Sequence, residues 1–400
     1  MSDVRESGFR ERTRVADARR QLLDVDPVDR THRVSLSTAD GRTLAESVSA
    51  KRNVPHYDRA AMDGWAVRAA DTFGASDRSP AVLQPADSPG RNAAVRVHTG
   101  SELPRGADAV VMIEQTDRIG EELEVFDAVA EGENVGPIGE DVEAGQTLYR
   151  PGHTLRPSDL GLLKSVAIDE VTVVARPKVA VIPTGEELVQ SDPEPGEVVE
   201  TNRLTVSHLA ERWGADVIRR EIVTDDHEAL RAAVRRDTTR DVVVTTGGSS
   251  VGARDLIPSV IDEIGEVFVH GVALKPGHPV ALGRVDGTTV IMLPGYPVAA
   301  IVNAVQFLRP LIKYLAGANP SPMPTTDATL TRKIRSEPGV RTFVRVRLND
   351  DGTEATPTRA SGSGILSSVA LADGWVVVPE SREGIPADET VAVENWEYDP

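Results

Sequence analysis

The sequence contains no cysteine among its 400 residues. This absence excludes disulfide bonds, thiolate metal sites and cysteine nucleophiles. No run of the chain approaches the ~20 consecutive apolar residues that a membrane helix needs. The N-terminus, MSDVRESGFRERTR, is charged and lacks the apolar core of a secretory signal. We therefore expect a cytoplasmic protein without a membrane partner.

Positive charge is also scarce, since the formal net charge is −18. The excess acid is spread along the chain, a pattern that fits general solvation of the surface. Nucleic acids and anionic membranes are excluded as partners because both require a positive binding surface. An anionic ligand would have to be held by backbone N–H groups and a few well-placed cations.

Residues 178–316 alternate between apolar strands and helices. We predict strands at KVAVIP, DVIRREI, DVVVTT, VFVHGVAL and TTVIML. Between them we predict a helix that carries Val206 and Trp213, a helix that begins at an Asp225–Glu228 capping box, and a helix over 256–264. A long helix from Pro297 completes the set. This alternation is typical of a doubly wound, mainly parallel sheet, which binds ligands at the carboxyl ends of its strands.

Two loops at such strand ends are rich in glycine and proline. The first is GGSSVG, which contains Gly247, Gly248, Ser249 and Gly252, and the second is LPGYP, which contains Pro294, Gly295 and Pro297. The first loop has neither dinucleotide-binding nor P-loop spacing. Either loop alone is as consistent with a tight turn as with an anion site. Their occurrence together in one domain favours a site for phosphate or oxyanion groups.

The remaining segments are richer in β-structure. From about 51 to 140, short strands (WAV, AVRVHTG, DAVVMIEQ, LEVFDAV) are separated by turn residues, and a helix is predicted over 157–165. A proline-rich linker, NPSPMPTTD, precedes a C-terminal β domain. We predict strands there through RTFVRVRL, through SGSGILSSVALADGWVVVPE and through ETVAVENW.

Several single residues have two interpretations. Asp255 is either the N-cap of the helix over 256–264 or a Mg²⁺ ligand. Asp226 has the same two interpretations, because its neighbour Asp225 already accounts for the cap of the helix that follows. Lys275 is either a phosphate-binding cation or a solvated turn residue, and His278 either a tunable charge or a structural group.

Three further positions are judged by their place in the predicted elements. Glu187 follows the first strand of the α/β domain and is expected to face the same crevice. Arg341 and Arg345 share a strand face with Phe343. This face is either an anion clamp or a solvated surface.

Nine segments in order resemble the signature segments of the molybdopterin molybdenumtransferases, the MoeA type that also forms the E domain of gephyrin. They are YDRAAMDGWAV, HTGSELPRGADAVVMIE, GEDVEAG, PTGEEL, TNR, TTGGSSVGARD, LKPGHP, LPGYPVAA and SGSGILSS. The resemblance extends from about residue 13 to residue 397.

The resemblance implies an elongated multidomain chain of the α/β plus β class that assembles as a homodimer. An irregular domain I is formed by 1–45 and 141–176, and a β domain II is inserted at 46–140. A molybdopterin-binding α/β domain III (177–320), doubly wound, and a C-terminal β-barrel domain IV (326–400) follow. In this family the active cleft lies between domain III of one subunit and domains I and II of the other.

The reaction that the resemblance implies is insertion of molybdate into adenylylated molybdopterin, with Mg²⁺-dependent release of AMP. A transient contact with the adenylyltransferase that makes the activated pterin is also expected. By matching positions, we predict catalytic roles for Asp63, Asp141, Glu187, Asp226, Asp255 and Lys275, with Asp226 and Asp255 as metal ligands. Substrate binding is predicted for Thr99, Asn202, Gly247, Gly248, Ser249, Gly252, His278, Pro294, Gly295, Pro297, Arg341, Ser363 and Ser367.

Three departures from the family pattern affect substrate detail. His278 replaces the second lysine of KPGKP, which predicts pH-dependent oxyanion affinity. Tyr296 replaces the asparagine of PGNP, and Arg59 lies in DRAAMDG where DNSAMDG is usual. Tungstate is an alternative substrate because it nearly matches molybdate in size and charge.

Two other functions remain as alternatives. One is the related adenylyltransferase, which shares the α/β domain but is normally a single domain. The other is a non-enzymatic dimeric scaffold, which the joint presence of Asp63, Asp141, Asp255 and Lys275 disfavours.

Overall fold

The computed structural model describes residues 12–247, 256–318, 322–359 and 362–398. The chain divides into two compact units. The larger unit comprises Met1–His32, Gly41–Thr43 and Val174–Pro400, and the smaller unit comprises Arg33–Asp40 and Leu44–Val173.

A six-stranded sheet forms the centre of the larger unit. Its spatial order is Asp216–Arg219, Lys178–Pro183, Val242–Thr246, Thr288–Leu293, Ala281–Val285 and Glu266–His270. The first four strands are parallel, and the last two continue the sheet with antiparallel pairing. The predicted doubly wound class is therefore confirmed, and the parallel part is flanked by an antiparallel hairpin.

Alternate residues of the central strands enter two separate cores. Val242, Val244 and Ile291 pack in the same cluster as Val206 and Phe307. Val243 and Val290, from the same strands, pack with the helical residues Leu230, Val234, Ile257 and Ile261. Because successive side chains of a strand point to opposite faces, helices cover both faces of the sheet.

The larger unit contains most of the helices. They are Val15–Leu22, Asn202–Arg212, His227–Arg236, Leu256–Ile264, Pro297–Asn303 with a π-helical turn Ala304–Leu308, Arg309–Leu315 and Ser367–Ala370. The predicted Asp225–Glu228 capping box is wrong. The N-cap is Asp226, whose carboxylate accepts the N–H of Ala229 at 2.9 Å.

One stretch corrects the expectation that no run is long and apolar enough to span a membrane. In the described residues, the helix Pro297–Leu315 meets that requirement by length and composition, and 83% of its apolar window is buried inside the structure. Such burial is typical of the core helix of a soluble protein.

Five C-terminal strands close into a barrel. Their order is Arg341–Leu348, Glu354–Arg359, Thr325–Leu330, Thr390–Glu394 and Gly374–Val378, and the last strand pairs again with the first. The prediction of continuous strands through SGSGILSSVALADG is wrong, because Ser367–Ala370 forms a short helix. A solvated face is also wrong for Arg345, which is 0% exposed and donates to the Phe343 carbonyl at 3.4 Å.

The smaller unit has its own six-stranded sheet and a second core. The strand order is Ala109–Met112, Gly64–Val67, Ala93–Val97, Ala81–Pro85, Glu122–Val125 and Thr116–Ile119. The helix Pro157–Ser165 is found as predicted and buries Leu163 against Val171 and Leu44.

Short elements complete the two units. The short strands are Thr31–Ser35, Val48–Ser49, Arg59–Ala60, Val135–Gly136, Thr147–Tyr149, Glu170–Val174, Leu188–Val189, Val198–Val199, Leu274–Lys275, Ile334–Arg335 and Gly384–Ile385. Single 3₁₀ turns are Leu36–Thr38, Ala69–Asp71 and Ile113–Gln115.

Candidate active site

Three strand ends of the larger unit meet at one edge of the sheet. The N–H of Thr184 donates to the Thr246 carbonyl at 2.9 Å, and the N–H of Gly247 donates to the Leu293 carbonyl at 3.1 Å. Gly247 has a φ of +112°, and a Cβ placed on it would lie 2.0 Å from the carbonyl oxygen of Thr184. Only glycine fits this contact, so the first predicted loop begins at a tightly packed backbone position.

The second predicted loop lies beside Gly247, the first residue of the first loop. A Cβ placed on Gly295 would be 3.4 Å from the Cα of Gly247. The side-chain amide of Asn202, which is 8% exposed, donates to the Gly295 carbonyl at 2.6 Å. Pro294 is buried, and Pro297 is the first residue of the next helix. The structure thus joins Asn202, Gly247 and Gly295 at the carboxyl ends of the parallel strands.

The barrel contributes a loop to the same helix start. The Ser363 carbonyl accepts the N–H of Val298 at 3.0 Å. A Cβ placed on Gly364 would lie 3.2 Å from the ring of Tyr296, which is itself 64% exposed. Ser363 is therefore adjacent to the Pro294–Pro297 turn, whereas Ser367 is an exposed residue that opens the helix Ser367–Ala370.

Lys275 and His278 lie on a loop tied to this helix. Lys275 is exposed, and the Gly277 carbonyl accepts the side-chain amide of the buried Asn303 at 2.9 Å. Burial lowers the pKa of His278 below its ordinary value, and the positive charges of Arg12 and Lys275 lower it further. His278 is therefore neutral at pH 7, and Lys275 carries the positive charge of this loop.

Arg341 is next to this loop but is already neutralised. Leu274–Lys275 pairs in parallel with the strand that begins at Arg341. The Arg341 guanidinium donates to Oε2 of Glu380 at 3.1 Å, and its side chain is 26% exposed. An anion clamp formed by Arg341 would have to compete with this carboxylate.

Two of the predicted acidic site residues, Glu187 and Asp226, lie after strands of the larger unit. Glu187 is exposed, and its carboxylate lies 2.9 Å from where a Cβ on Gly185 would be. Asp226 is exposed at the N-terminus of the helix His227–Arg236. It follows Val223, which bridges to Thr184 at the strand-end site.

Asp63 and Thr99 form a pair in the smaller unit. The Thr99 backbone N–H donates to Oδ1 of Asp63 at 3.1 Å, and Nδ1 of His98 lies 3.2 Å from the same oxygen. The Thr99 N–H and the His98 ring hold the pKa of Asp63 below its ordinary value. Asp63 is thus an oriented, ionised carboxylate with 54% of its side chain exposed.

Asp141 lies elsewhere in the smaller unit, on an exposed turn. Its N–H donates to the Val54 carbonyl at 3.0 Å. The neighbouring Glu140 forms an ion pair with Arg59, with Nη2 and Oε2 separated by 3.3 Å. Arg59, one of the three departures from the family pattern, therefore neutralises the negative charge of Glu140, the residue before Asp141.

Four predicted residues lie outside the described residues: Gly248, Ser249, Gly252 and Asp255. The choice between N-cap and metal ligand for Asp255 stays open. Within the described ranges, no group of three or more His, Asp or Glu side chains is arranged to hold a metal ion by itself.

Sequence reasoning missed three positioning residues: Thr184, Asn303 and His98. The carbonyl of Thr184 packs against Gly247, Asn303 fixes the Lys275 loop, and His98 orients Asp63. HTGSELPRG already contained His98, and its place beside Thr99 was the available signal. The first two act only through tertiary contacts, which no local pattern reveals.

Three family models together match most of the chain. They are the MoeA N-terminal region (domain I and II) at residues 13–167, the probable molybdopterin binding domain at 180–314 and the MoeA C-terminal region (domain IV) at 327–396.

Whole-length relatives agree with these matches. The molybdopterin molybdenumtransferase of Haemophilus influenzae is 33% identical over 395 residues, which cover 95% of this chain and 98% of that protein. The molybdopterin molybdenumtransferase of Bacillus subtilis is 32% identical over 400 residues, covering 95% and 93%. A crystal structure of the molybdopterin biosynthesis MoeA protein from Pyrococcus horikoshii superposes with a TM-score of 0.82 at 33% identity, covering 96% of this chain and 99% of that one.

Proposed function

The chain belongs to the MoeA family, and on that premise we propose that it is a molybdopterin molybdenumtransferase of molybdenum cofactor biosynthesis. It inserts molybdate into adenylylated molybdopterin, and the products are Mo-molybdopterin and AMP.

The observation that carries this proposal is the convergence of strand ends around Gly247 and Gly295. The substrates bring a pterin phosphate, a pyrophosphate and an oxyanion into one place, which is a severe concentration of negative charge. The helix that begins at Pro297 points its N-terminus into this turn. A helix N-terminus carries roughly half a positive charge, which suits an anion in an otherwise acidic protein. Pro297 has no N–H and the Val298 N–H is bonded to the Ser363 carbonyl, so the N–H groups proposed to meet the anion are those of the preceding turn.

Individual roles follow from the geometry around this turn. We propose that Asn202 holds the Gly295 carbonyl so that the turn presents its N–H groups to the pterin phosphate. Lys275, exposed and positively charged, attracts the oxyanion, with neutral His278 beside it as a hydrogen-bonding group. Ser363, on the loop that packs on the helix start, adds a hydroxyl.

The proposed acidic residues differ in how they are held. Asp63 is oriented by the Thr99 N–H and is ionised, which suits a carboxylate that positions water or a cation. Asp141 and Glu187 are exposed on turns and are proposed as further catalytic carboxylates.

We propose that Mg²⁺ is held by Asp226 together with substrate phosphates and with Asp255, which lies outside the described residues. The donor set fits this arrangement, because one oxygen of Asp226 caps the helix and a carboxylate has acceptor sites to spare. Mg²⁺ commonly uses only one or two protein carboxylates beside phosphate oxygens. When bound, the ion supplies positive charge to the pyrophosphate that is cleaved.

We also propose the assembly and location that the resemblance implies. The chain forms a homodimer in the cytoplasm, and it contacts the adenylyltransferase transiently to receive the activated pterin. Its domains are proposed to follow the limits given above: 1–45 with 141–176, 46–140, 177–320 and 326–400. Analytical ultracentrifugation tests the dimer, and limited proteolysis tests the domain limits.

The test of the proposed function is AMP release by the purified full chain. Adenylylated molybdopterin, Mg²⁺ and molybdate are mixed with the protein, and we expect AMP to appear only when the oxyanion is present. Adenylylation of molybdopterin from ATP would instead identify the adenylyltransferase. A protein with neither activity would be a scaffold.

The identity of the oxyanion is tested in the same assay. Molybdate and tungstate are supplied alone and in competition, and the preferred ion is taken from the ratio of their kcat/KM values. We expect molybdate to be preferred, and a ratio in favour of tungstate would reassign the substrate.

A further inference from the structure

A concave site lies in the larger unit, away from the strand-end turns. It is a cavity of about 550 Å³, a size within the usual range for small-molecule sites. Every residue that lines it belongs to the larger unit. Five of them are basic: Arg30, His32, Arg42, Arg176 and Lys178. The acidic lining residues are Glu211 and Asp216.

Backbone and side-chain hydrogen bonds hold the basic segments side by side. The Arg30 carbonyl accepts the N–H of Ala175 at 2.8 Å, which fixes the chain next to Arg176. The Arg42 guanidinium donates to the Val174 carbonyl at 2.9 Å. The three arginines are thus placed on one wall by the fold of the larger unit.

Two of the lining charges are already compensated. Arg30 forms a bidentate pair with Asp241, with N–O distances of 3.1 and 2.6 Å. The Glu211 carboxylate accepts from Arg219 at 2.8 Å and also lies 3.0 Å from His208.

A positive surplus remains after these pairs. Among the described residues, no carboxylate forms an ion pair with Arg42, Arg176 or Lys178. Asp216 is the one lining acid outside the pairs above, so the cavity wall is positive. This surplus is notable in a chain with a net charge of −18, where carboxylates are abundant.

Arg42 and Arg176 also repel each other. Burial lowers the pKa of Arg42, and the positive charge of Arg176 lowers it further. A bound anion would relieve this repulsion, and guanidinium groups match the geometry of phosphate oxygens with paired N–H donors.

We propose that this cavity binds the phosphate group of a small metabolite, with Arg42 and Arg176 as its direct ligands and Lys178 as an added charge. The concave shape favours a small molecule over a macromolecule. The volume leaves room for an organic part beyond the phosphate, and none of the lining residues is assigned to the proposed transferase site.

Isothermal titration calorimetry on the full chain tests this site. The probes are inorganic phosphate and AMP, at constant ionic strength and without Mg²⁺ or pterin. We expect both to bind and AMP to bind more tightly, because it also occupies the volume beyond the phosphate. Arg176→Gln should weaken the binding of inorganic phosphate at least tenfold, because one charge-assisted fork is lost.

The variants place the binding in this cavity. Arg42→Gln should weaken the binding of inorganic phosphate by a similar factor. Arg42 is half-buried, so its substitution can perturb folding, whereas Arg176 is exposed and Arg176→Gln leaves the fold intact. Arg335→Gln, an exposed arginine outside the cavity, is the matched control and should bind normally. Lys275→Ala should also bind inorganic phosphate normally, which separates this site from the transferase site.

Three results would overturn the proposal. They are failure of the unaltered chain to bind either probe, unchanged affinity in Arg176→Gln, and loss of phosphate binding in Lys275→Ala. The AMP-release assay is independent of these outcomes, since Arg176→Gln should release AMP at the normal rate.

Discussion

The two units hold their proposed functional residues in different ways. In the larger unit, Gly247, Gly295 and Asn202 are fixed by close backbone contacts at the ends of buried strands. In the smaller unit, Asp63 and Thr99 lie on exposed turns and are oriented by one another. Substitutions in the first group must disturb packing, whereas substitutions in the second can remove a chemical group from an intact scaffold.

This contrast reflects what each group contributes. Backbone N–H groups can be aimed at an anion only if the main chain itself is held rigidly, which requires packing. A carboxylate that must meet solvent and substrate needs only a side-chain orientation. Stability and activity should therefore be coupled at the strand-end turn of the larger unit and separable at Asp63 in the smaller one.

The largest loss of stability is expected for Gly247→Ala. The new Cβ would lie 2.0 Å from the Thr184 carbonyl oxygen at a φ of +112°, so we expect a loss of more than about 3 kcal/mol in the free energy of unfolding. Denaturant titration followed by circular dichroism measures this loss, and AMP release should fall with it.

Gly287→Ala separates the steric contact from the backbone strain. Gly287 also has a positive φ, +83°, but a Cβ there meets nothing within 4 Å. Its expected cost is only about 1–2 kcal/mol, the cost of the left-handed conformation. Equal losses in the two variants would mean that the contact with Thr184 is not what fixes the loop.

Asn202→Ala should have the next largest effect on stability. It removes the 2.6 Å hydrogen bond to the Gly295 carbonyl, and we expect a loss of about 1–2 kcal/mol. The KM for the pterin substrate should rise because the turn is released. Leu204→Ala, on an exposed position of the same helix, is the control and should change neither quantity. An unchanged KM in Asn202→Ala would remove Asn202 from the site.

Asp63→Asn should leave stability almost unchanged and still abolish most activity. The side chain is 54% exposed and asparagine retains an acceptor for the Thr99 N–H, so the free energy of unfolding should barely change. AMP release should fall about 10²-fold or more, as expected for loss of a preorganised charged group at the reacting centre. The matched control is Asp87→Asn, an exposed acid of the same unit. Full activity in Asp63→Asn would break the contrast between the units.

The sequence allowed prediction of those elements that depend on local pattern. The β-branched runs at Val242–Thr246 and Thr288–Leu293 are strands, and the glycine and proline residues after them mark strand-end loops. The strand Ala281–Val285 was not predicted, because Gly283 and Arg284 interrupt its apolar run. Gly283 is required there, since a Cβ would lie 2.6 Å from the Glu266 carbonyl oxygen of the neighbouring strand.

Other features depend on contacts distant in sequence. Asp225 and Asp226 are adjacent, and the sequence pattern alone selected the wrong one as the cap of the helix His227–Arg236. Asp226 is the N-cap, and its backbone there is extended (φ −108°, ψ 133°). The burial of Arg345 depends on the closed barrel and on the helix Ser367–Ala370, whose Ser368 hydroxyl accepts from the guanidinium at 3.3 Å. A strand pattern predicts which residues share a face, and only the closed sheet determines which face is buried.

The smallest effect is expected for His278→Lys, and it appears in the pH dependence of oxyanion use. Since burial and nearby positive charge lower the pKa of His278 below 6.5, the neutral form predominates in the folded chain at pH 7. As the pH falls through the lowered pKa of His278, protonation adds a positive charge beside Lys275. The KM for molybdate should therefore decrease severalfold in the unaltered chain. The lysine variant keeps its charge, and its KM should stay flat across the same range.

The unfolded chain takes up the His278 proton at a higher pH than the folded chain, so the free energy of unfolding should also fall with acid. His278→Gln should lack this contribution to the fall. A flat KM in the unaltered chain would show that His278 does not face the oxyanion, and the larger unit would then bind its anion with Lys275 and backbone groups alone.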